Sequence, residues 1–422
     1  MSAASAENQR RSEPGHPMLE VAQAQEIVLG STASLPAVDE MVSPQLVGRI
    51  LAEDVVAERD IPAFDKSLRD GYAVYSGDCS GQRPVVLRVV GEIAAGAAPG
   101  ARIGRGECQR IYTGAPLPAG ADAVVMQEDV DRLDQDQVRV RMAVQPGQWV
   151  YPRGQEMRMG ETVLAAGTRL SAAALGVLAS LGRHRVRVVA APRVGIVATG
   201  NELLRPDQPW VEGKIYNSNG PMLEALAASM GLPVINYGIL QDDAAALQAG
   251  LSRMLDECTA VIIAGGMSVG AYDLVPRVLH TLGVSEQIRQ VRMKPGKPFL
   301  FGQRAQRLVF GLPGNPASAW TCFHLFVRPA LRRLMGYSED ECYPPSRYYP
   351  ISQRFAASND RPTYHPARQE RSSYGERIQP LPWSGAPDLR SLCSADALLV
   401  LPPGQVHYEA GQRVEVLLVD EP

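Results

Sequence analysis

The apolar residues of this chain change period several times along its length, and those changes mark its organisation. At Val261–Ala264 four apolar residues with adjacent isoleucines predict a buried strand. Gly265 and Gly266 stop it, and from about Tyr272 the pattern turns helical through Leu274, Val275, Val278 and Leu279. A strand that delivers its C-terminal end into a glycine loop opening a helix is the usual ligand crevice of an α/β sheet. Glycines expose backbone N–H groups there, and a helix N-terminus favours an anion. Asp273, in the first helical turn, either caps the helix or holds a cation. A glycine pair after a strand is also simply a turn.

Taken in order, Leu19–Leu29 has helical periodicity closed by Gly30, and a second helical piece is expected around Leu46–Leu51. Residues 60–74 are turn-rich, and the Asp70-Gly71 pair reads equally well as a hairpin turn. Between 84 and about 145, short β runs alternate with glycine and proline and predict a small all-β module. Residues 151–170 are loop-rich. Ser171 then caps a helix that Gly182 closes. From Pro192, strand and helix alternate, which implies a mainly parallel sheet with right-handed crossovers. QVRM, PFLFGQ and RLVFGLP add strands before a long, mostly apolar helix with Asn315 as N-cap and Pro316 at its first position. Past Pro344 the helical signal disappears, and the C-terminal stretch predicts a small β-barrel or sandwich.

Composition narrows the function classes. The 422 residues allow two to four domains, and 45% hydrophobic content fills real cores. A net charge of -3 gives no basic field for nucleic acid. The six cysteines are scattered without C-x-x-C or His/Cys clusters, which fits reduced thiols in a cytoplasm rather than structural zinc. Residues 1–17 are polar and predict a disordered tail rather than a secretory signal, and no run approaches a membrane span.

Polar residues concentrate where strands end: Thr199 to Glu202, Gln241 to Asp243, Gly265 to Asp273, Lys294 to Pro298 and Pro313 to Pro316. In a parallel sheet these loops share one edge. Lys294 and Lys297 flank a Pro-Gly turn, and each ammonium about 4 Å from a unit anionic charge gains roughly 4 kcal/mol at an effective dielectric near 20. Carboxylates at neighbouring tips would repel such an anion unless a divalent metal neutralised them, so the edge suggests an anionic substrate bound with Mg²⁺. Each element has a plainer use. One of Asp242 and Asp243 is expected to cap the following helix, the lysines read equally as solvated turn residues, and Glu202 as surface.

Six segments in order resemble the molybdopterin molybdenumtransferase family, which includes bacterial MoeA and the plant and gephyrin E-domains. They are DGYAV (70–74), IYTGAPLPAGADAVVMQE (111–128), ATGNEL (198–203), GGMSVGAYD (265–273), MKPGKP (293–298) and GLPGNPASA (311–319). The resemblance implies a multidomain α/β plus β fold. An elongated helical and extended dimerisation domain (18–60 and 147–190) would carry an inserted small β module (61–146). A central MogA-like parallel α/β domain (191–340) and a C-terminal β-barrel (345–422) would follow. It implies a homodimer whose active site pairs the α/β domain of one subunit with the inserted-module region of the other. The implied reaction hydrolyses adenylylated molybdopterin, releases AMP and inserts molybdate, assisted by Mg²⁺. MogA-type adenylyltransferases and molybdoenzyme maturation factors are implied partners, with no nucleic acid and no membrane. Matched by motif, Asp70, Glu156, Asp242 and Asp273 are the catalytic carboxylates, with Asp242 and Asp273 at the metal. Thr113, Thr199, Glu202, Gly265, Gly266, Ser268, Lys294, Lys297, Ser318 and Arg368 line the substrate and oxyanion sites.

The chain departs from the family pattern at several positions. Glu156 stands for the usual aspartate of a Gly-Glu-Asp segment, Arg69 for the methionine before Asp70, Asn201 for an aspartate, and Asp396 for an asparagine. RPTYHPAR (361–368) fits the family's arginine segment only loosely. These departures leave one alternative, a catalytically drifted paralogue acting as a cofactor-binding or scaffold protein, and the shared α/β domain leaves another, a MogA-type adenylyltransferase, which would consume ATP.

Overall fold

The computed structural model describes residues 18–81, 83–267, 274–357, 360–372 and 375–419. The chain forms two units: Met1–Glu40, Gln45–Ala52 and Arg187–Pro422 make one, and Met41–Pro44 with Glu53–Val186 make the other.

In the larger unit a six-stranded sheet runs in the order Val234–Leu240, Val194–Thr199, Ala260–Ala264, Arg307–Leu312, Pro298–Arg304, Ser285–Gln290. The first four strands are parallel and the last two antiparallel. Alternate residues of each central strand enter two different cores, which is why these strands read as unbroken apolar runs. Ile196 and Ile262 meet Val21, Leu223 and Phe326 on one face. Val197 and Ile263 meet Leu251, Met254 and Val278 on the other. The outermost strand lies at Ser285–Gln290, one step before the QVRM segment expected from sequence, because Val291 instead bridges to Leu19.

Two other expectations change. The helix Val21–Gly30, which the resemblance assigns to the elongated domain, packs into this α/β core, and its Gln25 side chain donates to the Leu325 carbonyl at 3.2 Å. That carbonyl belongs to a π-helical turn, Phe323–Val327, set between the helices Pro316–Cys322 and Arg328–Leu334. Around Leu46–Leu51 there is no α-helix, only a 3₁₀ turn at Pro44–Leu46. Gly48 takes φ +85°, and Ile50 and Leu51 extend to pair with Val189 and Val188.

The C-terminal sheet of this unit orders Ser346–Pro350, Arg413–Leu418, Ala397–Leu401, Thr363–Ser372, Gly375–Pro380. Ile351 bridges Ile378, so its two edges meet in a nearly closed barrel. No helix among the described residues is long and apolar enough to cross a membrane.

The smaller unit holds a second six-stranded sheet, ordered Ala123–Met126, Gly71–Val74, Glu107–Ile111, Val85–Ile93, Gln137–Val140, Val130–Arg132. Gly71 is therefore a strand residue and not a hairpin turn. A Cβ built on it would lie 1.8 Å from the Val125 carbonyl oxygen, so glycine is needed there for close approach. The helix Ala172–Ser180 starts as expected, with the Ser171 hydroxyl accepting from the Ala174 N–H.

Candidate functional site

Parallel pairing sets the carboxyl ends of four strands side by side, Thr199 beside Leu240, and Ala264 between Ala198 and Leu312. The loops that follow form one edge of the sheet. Gly265 (φ +100°) and Gly266 (φ +67°) cross directly over Thr199. A Cβ on Gly265 would come within 2.6 Å of the Thr199 carbonyl, and one on Gly266 within 2.9 Å of the Thr199 hydroxyl. That buried hydroxyl has no hydrogen-bond partner among the described residues. Nearby, Asn219 donates to the Gly314 carbonyl at 2.7 Å, and its own buried carbonyl oxygen has no hydrogen-bond partner among the described residues. Two buried oxygens at one crevice that no described residue satisfies mark it as a place for a polar partner. Nothing in the sequence pattern singled out Asn219; its burial and its bond to the 313–316 loop reveal it. Ser268 and Asp273 lie outside the described residues.

Of the adjacent aspartates, Asp243 is the cap, accepting from the Ala246 N–H at 2.9 Å. Asp242 instead exchanges bonds with Asn201: its carboxylate accepts from the Asn201 N–H at 3.3 Å, and its own N–H donates to the Asn201 side chain at 3.1 Å. The Glu202 side chain is exposed and folds back towards Gly200.

The Lys294–Lys297 turn packs through Gly296 (φ +111°), where a Cβ would strike the Cys322 sulfur at 2.7 Å. The Lys294 N–H donates to the Pro362 carbonyl, and the Tyr364 N–H donates to the Lys294 carbonyl at 2.7 Å. Both lysines are half-buried, and neither ammonium has an ion pair or hydrogen bond among the described residues. Ser318 is buried in the first turn of the helix Pro316–Cys322. A cavity of about 330 Å³ adjoins Lys294, lined also by Gln353, Phe355, Thr363, His365 and Trp383. Burial pushes the His365 imidazole down to about 4, so it is neutral at pH 7.

Arg368 is exposed on the strand Thr363–Ser372 and donates to the Gln379 side chain at 2.9 Å. It lies five residues, roughly 16 Å, along that strand from Thr363. Arg361 instead immediately precedes Pro362, whose carbonyl accepts from the Lys294 N–H. Among the described residues the buried Arg361 Nε makes no hydrogen bond, and it faces the Asp360 carboxylate at 3.6 Å. Sequence reading passed over it, although it heads the same RPTYHPAR segment.

In the smaller unit, Asp70 sits exposed at the head of its strand. The Thr113 N–H and hydroxyl both reach its Oδ1, and these two bonds hold the carboxyl below its ordinary value. Glu156 faces Lys66 at 3.8 Å, and the Lys66 ammonium lies over the Tyr151 ring. The loop carrying Glu156 is anchored at both ends: Arg153 bonds Asp60 through its side chain and Asp65 through its N–H, and the Met159 N–H donates to Asp60.

Three family models match along the chain. Residues 19–182 match the MoeA N-terminal region (domain I and II), residues 195–333 a probable molybdopterin binding domain, and residues 349–419 the MoeA C-terminal region (domain IV). The molybdopterin molybdenumtransferase of Staphylococcus aureus is 33% identical over 406 residues, 95% of each chain. That of Staphylococcus epidermidis is 33% identical over 377 residues, 89% of each chain. Among solved structures, a molybdopterin biosynthesis MoeA protein from Pyrococcus horikoshii matches with a TM-score of 0.81 at 30% identity, over 96% of this chain and all of that one.

Proposed function

The chain belongs to the molybdopterin molybdenumtransferase family, and from that premise we propose how its residues divide the work. It inserts molybdenum into molybdopterin during synthesis of the molybdenum cofactor. The substrate we propose is adenylylated molybdopterin, hydrolysed to release AMP as molybdate is taken up.

The observation that carries this reading is the pair of ammonium groups on one turn that have no ion pair or hydrogen bond among the described residues, with the turn's backbone tied to the 361–364 segment. A tetrahedral dianion needs several fixed donors, and Lys294, Lys297, Arg361 and the Ser318 hydroxyl supply them. The Thr199 hydroxyl and the Gly266 N–H hold the pterin-nucleotide end, with Glu202 at its rim; the Gly265 N–H is engaged by the Leu312 carbonyl at 3.0 Å, so Gly265 contributes close approach rather than a donor. Asp70 and Glu156, both carboxylates fixed by neighbours, orient water and handle its proton during anhydride cleavage.

Among the described residues no three His, Cys, Asp or Glu side chains converge as a metal cage. Mg²⁺ does not need one, because it commonly binds one or two carboxylates plus substrate phosphates. Asp242, exposed and held by Asn201, fits that use, with Asp273 as its proposed companion. Bound there, Mg²⁺ would neutralise phosphate charge as the anhydride breaks. A homodimer in the cytoplasm completes the reading, and the six free cysteines support its reducing compartment.

The test supplies purified protein with adenylylated molybdopterin, molybdate and Mg²⁺, and follows AMP release and cofactor formation for wild type and Glu156→Asp. Turnover by wild type supports the reading. Turnover only in Glu156→Asp means a drifted site, and silence from both favours the scaffold alternative.

A further inference from the structure

Arg69 and Trp149 have no role in the function proposed so far, yet their arrangement is unusual. The Arg69 guanidinium stacks 4.8 Å from the centroid of the Trp149 ring. The backbone of Arg69 is pinned twice by the buried Ser67. Its N–H donates to the Ser67 hydroxyl oxygen at 3.2 Å, and that hydroxyl donates to the Arg69 carbonyl at 2.6 Å. Trp149 is pinned in turn, because the Leu68 N–H donates to its carbonyl at 2.9 Å and Val150 pairs with Ser67.

Trp149 has φ +55°, a left-handed conformation that bulky L residues rarely adopt. Such strain persists when something is gained by it. Core packing is not the gain here, because Trp149 is 36% exposed. Its ring instead forms a platform that fixes the guanidinium. Among the described residues the guanidinium has no carboxylate or hydrogen-bond acceptor, so its planar fork of N–H donors is unused. Neighbouring Asp70 is engaged by Thr113 and feels the charge of Arg110, which itself lies 3.8 Å from Glu92. A fixed guanidinium fork matches phosphate oxygens, and the stacking surface suits arginine rather than lysine.

We propose that Arg69, held against Trp149, is a phosphate-binding residue that grips the phosphoanhydride of the substrate beside Asp70. The assignment rests on the transferase reading for the identity of that substrate. It does not rest on that reading for the chemistry of the site, which takes a phosphate or diphosphate group.

ADP serves as the probe, titrated into the full-length protein by calorimetry and by tryptophan fluorescence. Wild type is expected to bind with a change in emission. Arg69→Met should weaken binding at least tenfold, and Arg69→Lys should lie between, since charge remains and the planar fork is lost. The thermal midpoint of Arg69→Met should match wild type because the side chain is exposed. In turnover, the loss should fall on KM for adenylylated molybdopterin more than on kcat. Equal ADP affinity in wild type and Arg69→Met, or no binding by wild type, overturns the proposal. If wild type turns over and Arg69→Met has an unchanged KM, Arg69 is excluded and the transferase reading stands. If ADP binding depends on Arg69 while wild type never turns over, the phosphate site stands and the transferase reading falls.

Discussion

Thr113 gives Asp70 both of its short hydrogen bonds, and its N–H and its hydroxyl lie 2.8 Å from the same carboxylate oxygen. These bonds favour the ionised carboxylate, so the folded pKa lies below the ordinary value. A depressed carboxyl pKa means that the favourable state is complete above the unfolded value and is lost as pH falls through the folded one. Thr113→Val keeps the backbone bond and removes the hydroxyl bond, which raises the pKa of Asp70 towards normal. The acid limb of kcat/KM should therefore move to higher pH, and Asp70→Asn should abolish that limb. An unmoved acid limb in Thr113→Val would mean that another group sets it.

Gly71, the next residue, carries a structural constraint. The Cβ of an alanine there would meet the Val125 carbonyl oxygen at 1.8 Å and its carbonyl carbon at 2.8 Å, both backbone atoms in the paired strand. No side-chain rotation relieves that clash, so Gly71→Ala must push the paired strands of the module apart. We expect a loss of about 3 kcal/mol or more, at the upper end for overpacking. Circular dichroism melts would show a lower midpoint for the variant, and an unchanged midpoint would contradict the strand pairing itself.

How much of this was legible depended on whether the cause was local. The strand at Val261–Ala264 and its glycine stop could be read because a strand buried on both faces is apolar throughout. The Ser171 cap and the expectation that one of Asp242 and Asp243 caps a helix were also local, and Asp243 fills that role. The clash that demands glycine at 71 comes from Val125, and the extension of Ile50 and Leu51 comes from Val188 and Val189. Neither was visible in a local window. At the site, the loop-tip lysines stood out by type, but the Thr199 and Asn219 oxygens that no described residue satisfies and the seating of Arg361 depend on burial.

The Thr199 hydroxyl separates a structural role from a binding one. Buried and without a partner among the described residues, it contributes no hydrogen bond that the free protein would miss. Removing a buried unsatisfied polar group is neutral or stabilising, provided the shape is kept. Thr199→Val should therefore leave the thermal midpoint unchanged or raised. Its affinity for AMP should fall about tenfold, the worth of a hydrogen bond to a charged group. A lowered midpoint with unaltered AMP binding would make the hydroxyl a structural group.

Lys294 and Lys297 give the sharpest contrast between charge and position. Each is half-buried, so its interaction with a dianion is screened below the roughly 4 kcal/mol per unit charge expected at 4 Å and an effective dielectric near 20. Even a third of that value corresponds to about tenfold in binding. Lys294→Ala and Lys297→Ala should each raise the molybdate KM by about tenfold or more. Because both would contact one small ion, the double variant should lose less than the sum. Arg361→Gln should behave as the lysine variants do, since Lys294 bonds the carbonyl of its neighbour Pro362. Arg368→Gln should leave the molybdate KM unchanged, since Arg368 engages Gln379 further along the strand. The measurement is cofactor formation against molybdate concentration at fixed ionic strength. If Arg368→Gln raises KM and Arg361→Gln does not, the oxyanion lies elsewhere along the strand Thr363–Ser372, and the turn lysines are not its principal hold.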